Sequence, residues 1–124
     1  MNANSPSSTA VAAKACTVET EPMDKIAMLT EILTLNPGDA FARYGLAMEH
    51  ANQGQTDAAL AEFDRLLSTH PDYTAGYFMA AQTLVKAGRT DEAKTRLDQG
   101  IASAQRTGNQ HALNEMQALL ADLA

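Results

Sequence analysis

The chain contains no tryptophan, one cysteine and only six aromatic residues, three Phe and three Tyr. A lone cysteine excludes an internal disulfide, and it excludes a metal cluster built from several thiolates of this chain. So few rings leave little for a core of large aromatic side chains. The apolar 45% is instead dominated by Ala and Leu, which suits helices packed through small side chains. Basic residues are also scarce: nine Lys and Arg stand against fifteen Asp and Glu, giving a net charge of -6, and the nine are scattered rather than gathered into a stripe. Phosphate backbones and anionic membrane surfaces repel such a chain, so neither nucleic acid nor membrane is expected as a partner. No apolar run approaches the roughly 18 residues that span a bilayer. The stretch from Ser5 to Ala15 mixes Ser, Thr and Lys into its few apolar residues, unlike the apolar centre of a secretion signal. The expected location is the cytoplasm.

What the chain does have is a period of 34 residues. Gly54, Asp57 and Ala59 return as Gly88, Asp91 and Ala93, Leu-rich stretches follow both sets, and Asn36-Pro37 is answered by His70-Pro71. Self-similarity at such a spacing is the signature of stacked helical units, each of which buries its apolar face only against its neighbours.

The punctuation places six helices. Residues 1–20, rich in Ser, Thr, Ala and Asn and without a helical or strand period, are expected to be unstructured, with Cys16 an incidental thiol. Pro22 suits a first helical turn, and Ile26, Leu29, Ile32, Leu33 and Leu35 give one apolar face to a helix over about 22–36. Asp39 is placed to cap a helix over about 40–53, and Gly54 to stop it. Thr56 is read as the cap of a helix over about 57–69. Pro71-Asp72 opens a helix over about 73–87 that Gly88 ends, Thr90 starts one reaching about 105, and Thr107-Gly108-Asn109 separates it from a last helix over about 110–123. Ala47, Ala59, Ala81, Ala93 and Gly100 fall where helix axes must approach closely.

These residues resemble the tetratricopeptide repeat family. Leu46-Ala47, Gly54, Ala59, Phe63, Leu67 and Pro71 fit its 34-residue motif, as do Tyr77, Ala80-Ala81, Leu84, Gly88, Ala93, Leu97 and Ile101, while Arg43 and Gln105 depart from it. The resemblance implies an all-α fold, a short right-handed α-solenoid of antiparallel helix pairs with about six helices. It divides the chain into a half repeat (21–37), repeats at 38–71 and 72–105, and a capping helix at 109–123. It also implies a concave groove lined by the first helix of each pair. Carried over by position, that groove presents Phe41, Tyr44, Gly45, Met48 and Asn52, then Phe78, Met79, Gln82 and Lys86, then Ala112, Leu113 and Met116. The lining is apolar and rich in methionine, whose flexible thioether adapts to irregular partners.

Catalysis finds no support in the pattern. His50, His70 and His111 lie at unrelated points of the repeat with no neighbour placed as a metal or nucleophile partner. Asp57, Asp91 and Glu92 sit in first helical turns, where negative charge offsets the helix dipole. The expectation is a non-catalytic protein-interaction module, without cofactor or metal, that takes a peptide or helix in its groove. The alternative is a structural module whose groove or end faces pair in a homo-oligomer.

Overall fold

A computed structural model describes residues 22–124, and among them there are six helices and no strand. Helix α1 spans Pro22–Leu35, α2 Ala40–Asn52, α3 Thr56–Thr69, α4 Thr74–Lys86, α5 Thr90–Thr107 and α6 Gln110–Asp122. The segment 1–20 and Cys16 lie outside the described residues. The period is met to the residue: α3 begins and ends 34 positions after α1, and α4 does the same relative to α2.

Three glycines make the sharp turns. Gly54, Gly88 and Gly108 have φ of 76°, 77° and 70°, in the left-handed region that a Cβ disfavours. After each, the next residue sends its N–H back to a carbonyl five positions earlier. These bonds run from Gln55 to His50, Arg89 to Leu84 and Asn109 to Ala104, each at 2.9 Å. Such a bond closes the end of one helix, and the residue making it is also the N-cap of the next. Thr56 is therefore the first residue of α3 rather than its cap, and Gln55, which takes the cap position, makes no side-chain capping bond. The first turn of α3 thus begins without the side-chain cap expected of Thr56. Asp39 and Asn109 do cap by side chain, accepting from the N–H of Ala42 and Ala112 at 2.9 and 3.1 Å.

Each helix packs against its neighbours in sequence, and α2 also touches α4 while α4 touches α6. This places α2, α4 and α6 in one layer, with α1, α3 and α5 behind them. Small residues allow the close approach: Ala47, Ala59, Ala80, Ala81 and Ala93 are all fully buried. Gly100 is the tightest of these points. A Cβ there would lie 2.6 Å from the Tyr77 Cβ and closer still to the Met116 Sδ.

Buried polarity is matched. The Thr74 and Ser103 hydroxyls meet at 2.8 Å in the interior, and no buried side-chain N or O among the described residues lacks a partner. On the outer layer, arginines of α5 and its N-cap reach back one repeat. Arg89 pairs with Asp57 at 3.5 Å, Arg96 with Asp64, and Arg106 with Asp72 at 2.8 Å. Exposed pairs of this kind contribute about 0–1 kcal/mol each, so they hold register more than they stabilise.

A candidate partner-binding groove

The inner layer carries a cleft between α2 and α4. Met48, Ala51 and Asn52 form one wall, Met79, Gln82, Thr83 and Lys86 the other, and Gly54 with Thr56 closes one end around a cavity of about 320 Å³. The helical spacing explains the gathering: Met48 and Asn52, like Met79, Thr83 and Lys86, recur at steps of three and four on one helix face.

Met48 and Met79 are half-buried and pack against the cluster of Ala47, Ala59, Phe63, Leu66 and Ala80 while also lining the cleft. Thr83 Oγ1 donates to the Met79 carbonyl at 2.8 Å. Among the described residues, Lys86 is the only charged one lining the cavity.

Toward the other end of α2, Tyr44 is half-buried between two rings. It lies edge-on to Phe63 at 6.5 Å and 5.3 Å from Tyr73. Burial pushes its phenol pKa up. The Tyr73 phenol is also pushed up, chiefly by burial, with the nearby Tyr44 and Asp39 adding to the effect. Phe41, at the first turn of α2, is 75% exposed.

The remaining residues named from the sequence divide. Phe78 and Leu113 are partly buried against the cluster that contains Leu67, Tyr77, Leu84 and Leu97. Met116 is 0% exposed and belongs to that core, so a partner cannot reach it; this corrects the expectation that it lines the groove. The reason is the notch at Gly100, which the Met116 thioether fills. Four of the cavity's lining residues were not foreseen: Ala51, Gly54, Thr56 and Thr83. Ala51 and Thr83 were readable from the spacing, one turn from Met48 and from Met79.

A second cleft of about 320 Å³ lies on the opposite face, lined by Leu60, Asp64, Leu84, Arg89, Glu92, Thr95, Arg96 and Gln99. Its charged groups answer one another. Arg89 is held by Glu92 at 2.7 Å and Arg96 by Asp64, which makes it a packing seam between α3 and α5 rather than a recognition site. The histidines are engaged locally. His50 Nδ1 lies 2.6 Å from Gln55 Oε1, His70 Nδ1 lies 2.9 Å from Thr69 Oγ1, and His111 lies 3.4 Å from Glu115. Among the described residues no three His, Cys, Asp or Glu side chains are grouped to hold a metal, and no helix is long and apolar enough to cross a membrane.

Comparison with known proteins agrees with this architecture. A family model described as tetratricopeptide repeat matches residues 50–123. A TPR repeat-containing protein of Pseudomonas aeruginosa is 27% identical over 95 residues, which cover 77% of this chain and 90% of that protein. A tetratricopeptide repeat domain protein from Salinibacter ruber, solved in solution, superposes with a TM-score of 0.67 at 36% identity, covering 71% of this chain and 89% of that one. YrrB, described as a TPR protein with an unusual peptide-binding site, superposes at 0.66 with 25% identity, covering 77% of this chain and 48% of its own. The TPR2B-domain:pHsp70 complex of yeast Sti1 reaches 0.77 at 17% identity over 89% of this chain and 88% of that one, a likeness of fold alone. With the periodic helices, the glycine turns and the small-residue contacts already in place, the match over most of the chain has one reading: this protein belongs to the tetratricopeptide repeat family.

Proposed function

We propose that the chain is a non-catalytic binding module that takes an apolar peptide or helix segment of a partner protein in the cleft between α2 and α4. One observation carries this reading: Met48, Asn52, Met79, Gln82 and Lys86, from two helices, line a single open cavity. The half-buried methionines supply adaptable apolar contact, the carboxamides of Asn52 and Gln82 suit a peptide backbone, and Lys86 at the rim suits an acidic residue flanking the apolar anchor. Tyr44 and the exposed Phe41 extend the same face along α2. The repeats at 38–71 and 72–105 frame the cleft, and Met116 of the last helix is locked in the core away from it. YrrB supports the reading as a relative described by its peptide-binding site.

The test is selection of a binding peptide from a displayed random library against the full chain. Met48→Glu together with Met79→Glu then removes binding by about tenfold or more, while the cooperative melt persists. Undiminished binding by a folded double variant overturns the assignment.

A further inference from the structure

We infer that the occupant of the cleft is an extended peptide segment held in one direction, with an acidic side chain at Lys86 and an aromatic one beside Tyr44, about four to six residues apart. Such an occupant presupposes that the cleft between α2 and α4 is the binding site, and the two ends of that cleft differ chemically. α2 and α4 hold the same place in successive periods and run in the same direction. Their first turns come together where Tyr44 lies 5.3 Å from Tyr73, and their last turns where Asn52 and Lys86 line one cavity.

The cation at one end is left without a counter-charge. Each of the five arginines is paired: Arg43 and Arg65 with Glu62, Arg89 with Asp57 and Glu92, Arg96 with Asp64, and Arg106 with Asp72. Lys86 is exposed in the last turn of α4 and is in no ion pair among the described residues. A carboxylate on the occupant is attracted there, whereas the chain as a whole, at a net charge of -6, repels it. The other end carries the opposite sign. Asp39 caps α2 there, accepting from the Ala42 N–H at 2.9 Å, and its charge reaches the Tyr73 phenol. That end disfavours an acid and offers rings instead: Tyr44 and Tyr73, with Phe41 75% exposed one turn before Tyr44. A segment carrying one acid and one ring therefore fits in one direction only.

Two carboxamides set the conformation. Gln53, Gln55, Gln99 and Gln110 are bonded to neighbouring side chains, whereas the side chains of Asn52 and Gln82, one on each wall of the cleft, make no hydrogen bond among the described residues. Each offers both a donor and an acceptor. A helix uses its N–H and C=O groups internally and leaves almost none for them, while an extended backbone presents both kinds of group to its sides. The helix rise then gives the spacing. Tyr44 to Asn52 is eight residues along α2, about 12 Å, and from Tyr73, the N-cap of α4, to Lys86 is thirteen, about 20 Å. An extended chain advances about 3.3 Å per residue, so it covers this interval in about four to six residues.

The experiment compares peptides selected from a displayed random library by the full chain and by its Lys86→Glu variant. Peptides selected by the natural chain are expected to share an acidic residue about four to six positions from an aromatic one. The variant is expected to select a basic residue at the acidic position, with the aromatic residue and the spacing kept. An acidic peptide selected by the natural chain binds Lys86→Glu about tenfold or more weakly, and salt at about 0.5 M weakens its binding to the natural chain, but not once its acid is replaced by the amide. A nitroxide attached beyond the peptide's aromatic residue broadens the NMR signals of Phe41 and spares those of Lys86. Four results overturn the inference: the same peptides selected with either sign at residue 86, apolar residues recurring at helical steps of three and four, broadening at Lys86, or no binder at all. Met48→Glu with Met79→Glu separates two kinds of failure. Where that double variant loses binding while Lys86→Glu selects unchanged peptides, the cleft stands as the site and the orientation falls; where the double variant binds undiminished, both fall.

Discussion

Arg43 and Tyr77 stand at the same repeat position and each donates to the carbonyl of the proline six residues earlier, Arg43 to Pro37 at 3.3 Å and Tyr77 to Pro71 at 2.8 Å. The ring of Tyr77 fills the space between α4 and α5, whereas Arg43 fills the corresponding space with a charge and brings Glu62 to 2.6 Å to balance it. An ion pair has replaced an aromatic wedge at one of two equivalent helix contacts.

Removing half of that pair is predicted to be worse than removing both. The side chains of Arg43 and Glu62 are only 16% and 14% exposed, so Glu62→Ala leaves a poorly solvated guanidinium and costs about 1–3 kcal/mol, read as a lower urea midpoint. Arg43→Tyr combined with Glu62→Ala recovers most of the loss by restoring the wedge. An unchanged midpoint for Glu62→Ala would show that the pair contributes nothing.

Gly100→Ala is predicted to destabilise even though alanine is the better helix former by about 1 kcal/mol. The added methyl overlaps Tyr77 and the Met116 thioether, an overpacking that costs about 1–3 kcal/mol beyond that gain. Shortening the opposing side chain through Met116→Ala relieves the overlap, so the double variant melts higher than the sum of the single changes predicts. A raised Tm for Gly100→Ala alone would refute the contact.

Stability is predicted to fall on the alkaline side. Burial holds the phenols of Tyr44 and Tyr73 protonated above their usual pKa near 10. The folded chain therefore binds these protons more tightly than the unfolded chain. Their effect is absent below the usual value, and stability drops as pH rises from there through the higher folded values. Urea midpoints measured across this range decline, and Tyr44→Phe with Tyr73→Phe flattens the decline.

Phe41→Ala is predicted to separate binding from folding. With 75% of the residue exposed, its loss changes stability by less than about 0.5 kcal/mol. A library-selected peptide that extends along α2 nevertheless binds more weakly, as titration calorimetry would show. A comparable drop in Tm and in affinity would place Phe41 in the fold instead.

The helices were legible because their boundaries depend on residues with few conformational options. Glycine at positive φ stops α2, α4 and α5, Asp39 caps α2, and each period reuses the same punctuation. The cleft was partly legible, since the spacing of Met48 with Asn52 and of Met79 with Lys86 puts each pair on one helix face. Met116 was not. It shares a stripe with Leu113, Leu119, Leu120 and Leu123, and periodicity alone does not say which member of a terminal stripe faces the core. The missing signal lay on another helix, in the notch that Gly100 leaves. Thr56 was misread as a cap because a hydroxyl before a helix is the usual device, while here the turn that closes α2 through the Gln55 bond to His50 leads directly into α3, whose cap position falls on Gln55 and makes no side-chain capping bond.

The claim that partners are held between α2 and α4 is tested most directly by methyl NMR of the methionines during titration with a library-selected peptide. Met48 and Met79 line the cleft, Met28 lies exposed on α1 and Met116 is sealed in the core, so the protein carries its own reporters and controls. The account predicts large shifts at Met48 and Met79 with little change at Met28 and Met116. Shifts confined to Met28, or absent from both cleft methionines at saturation, would contradict it.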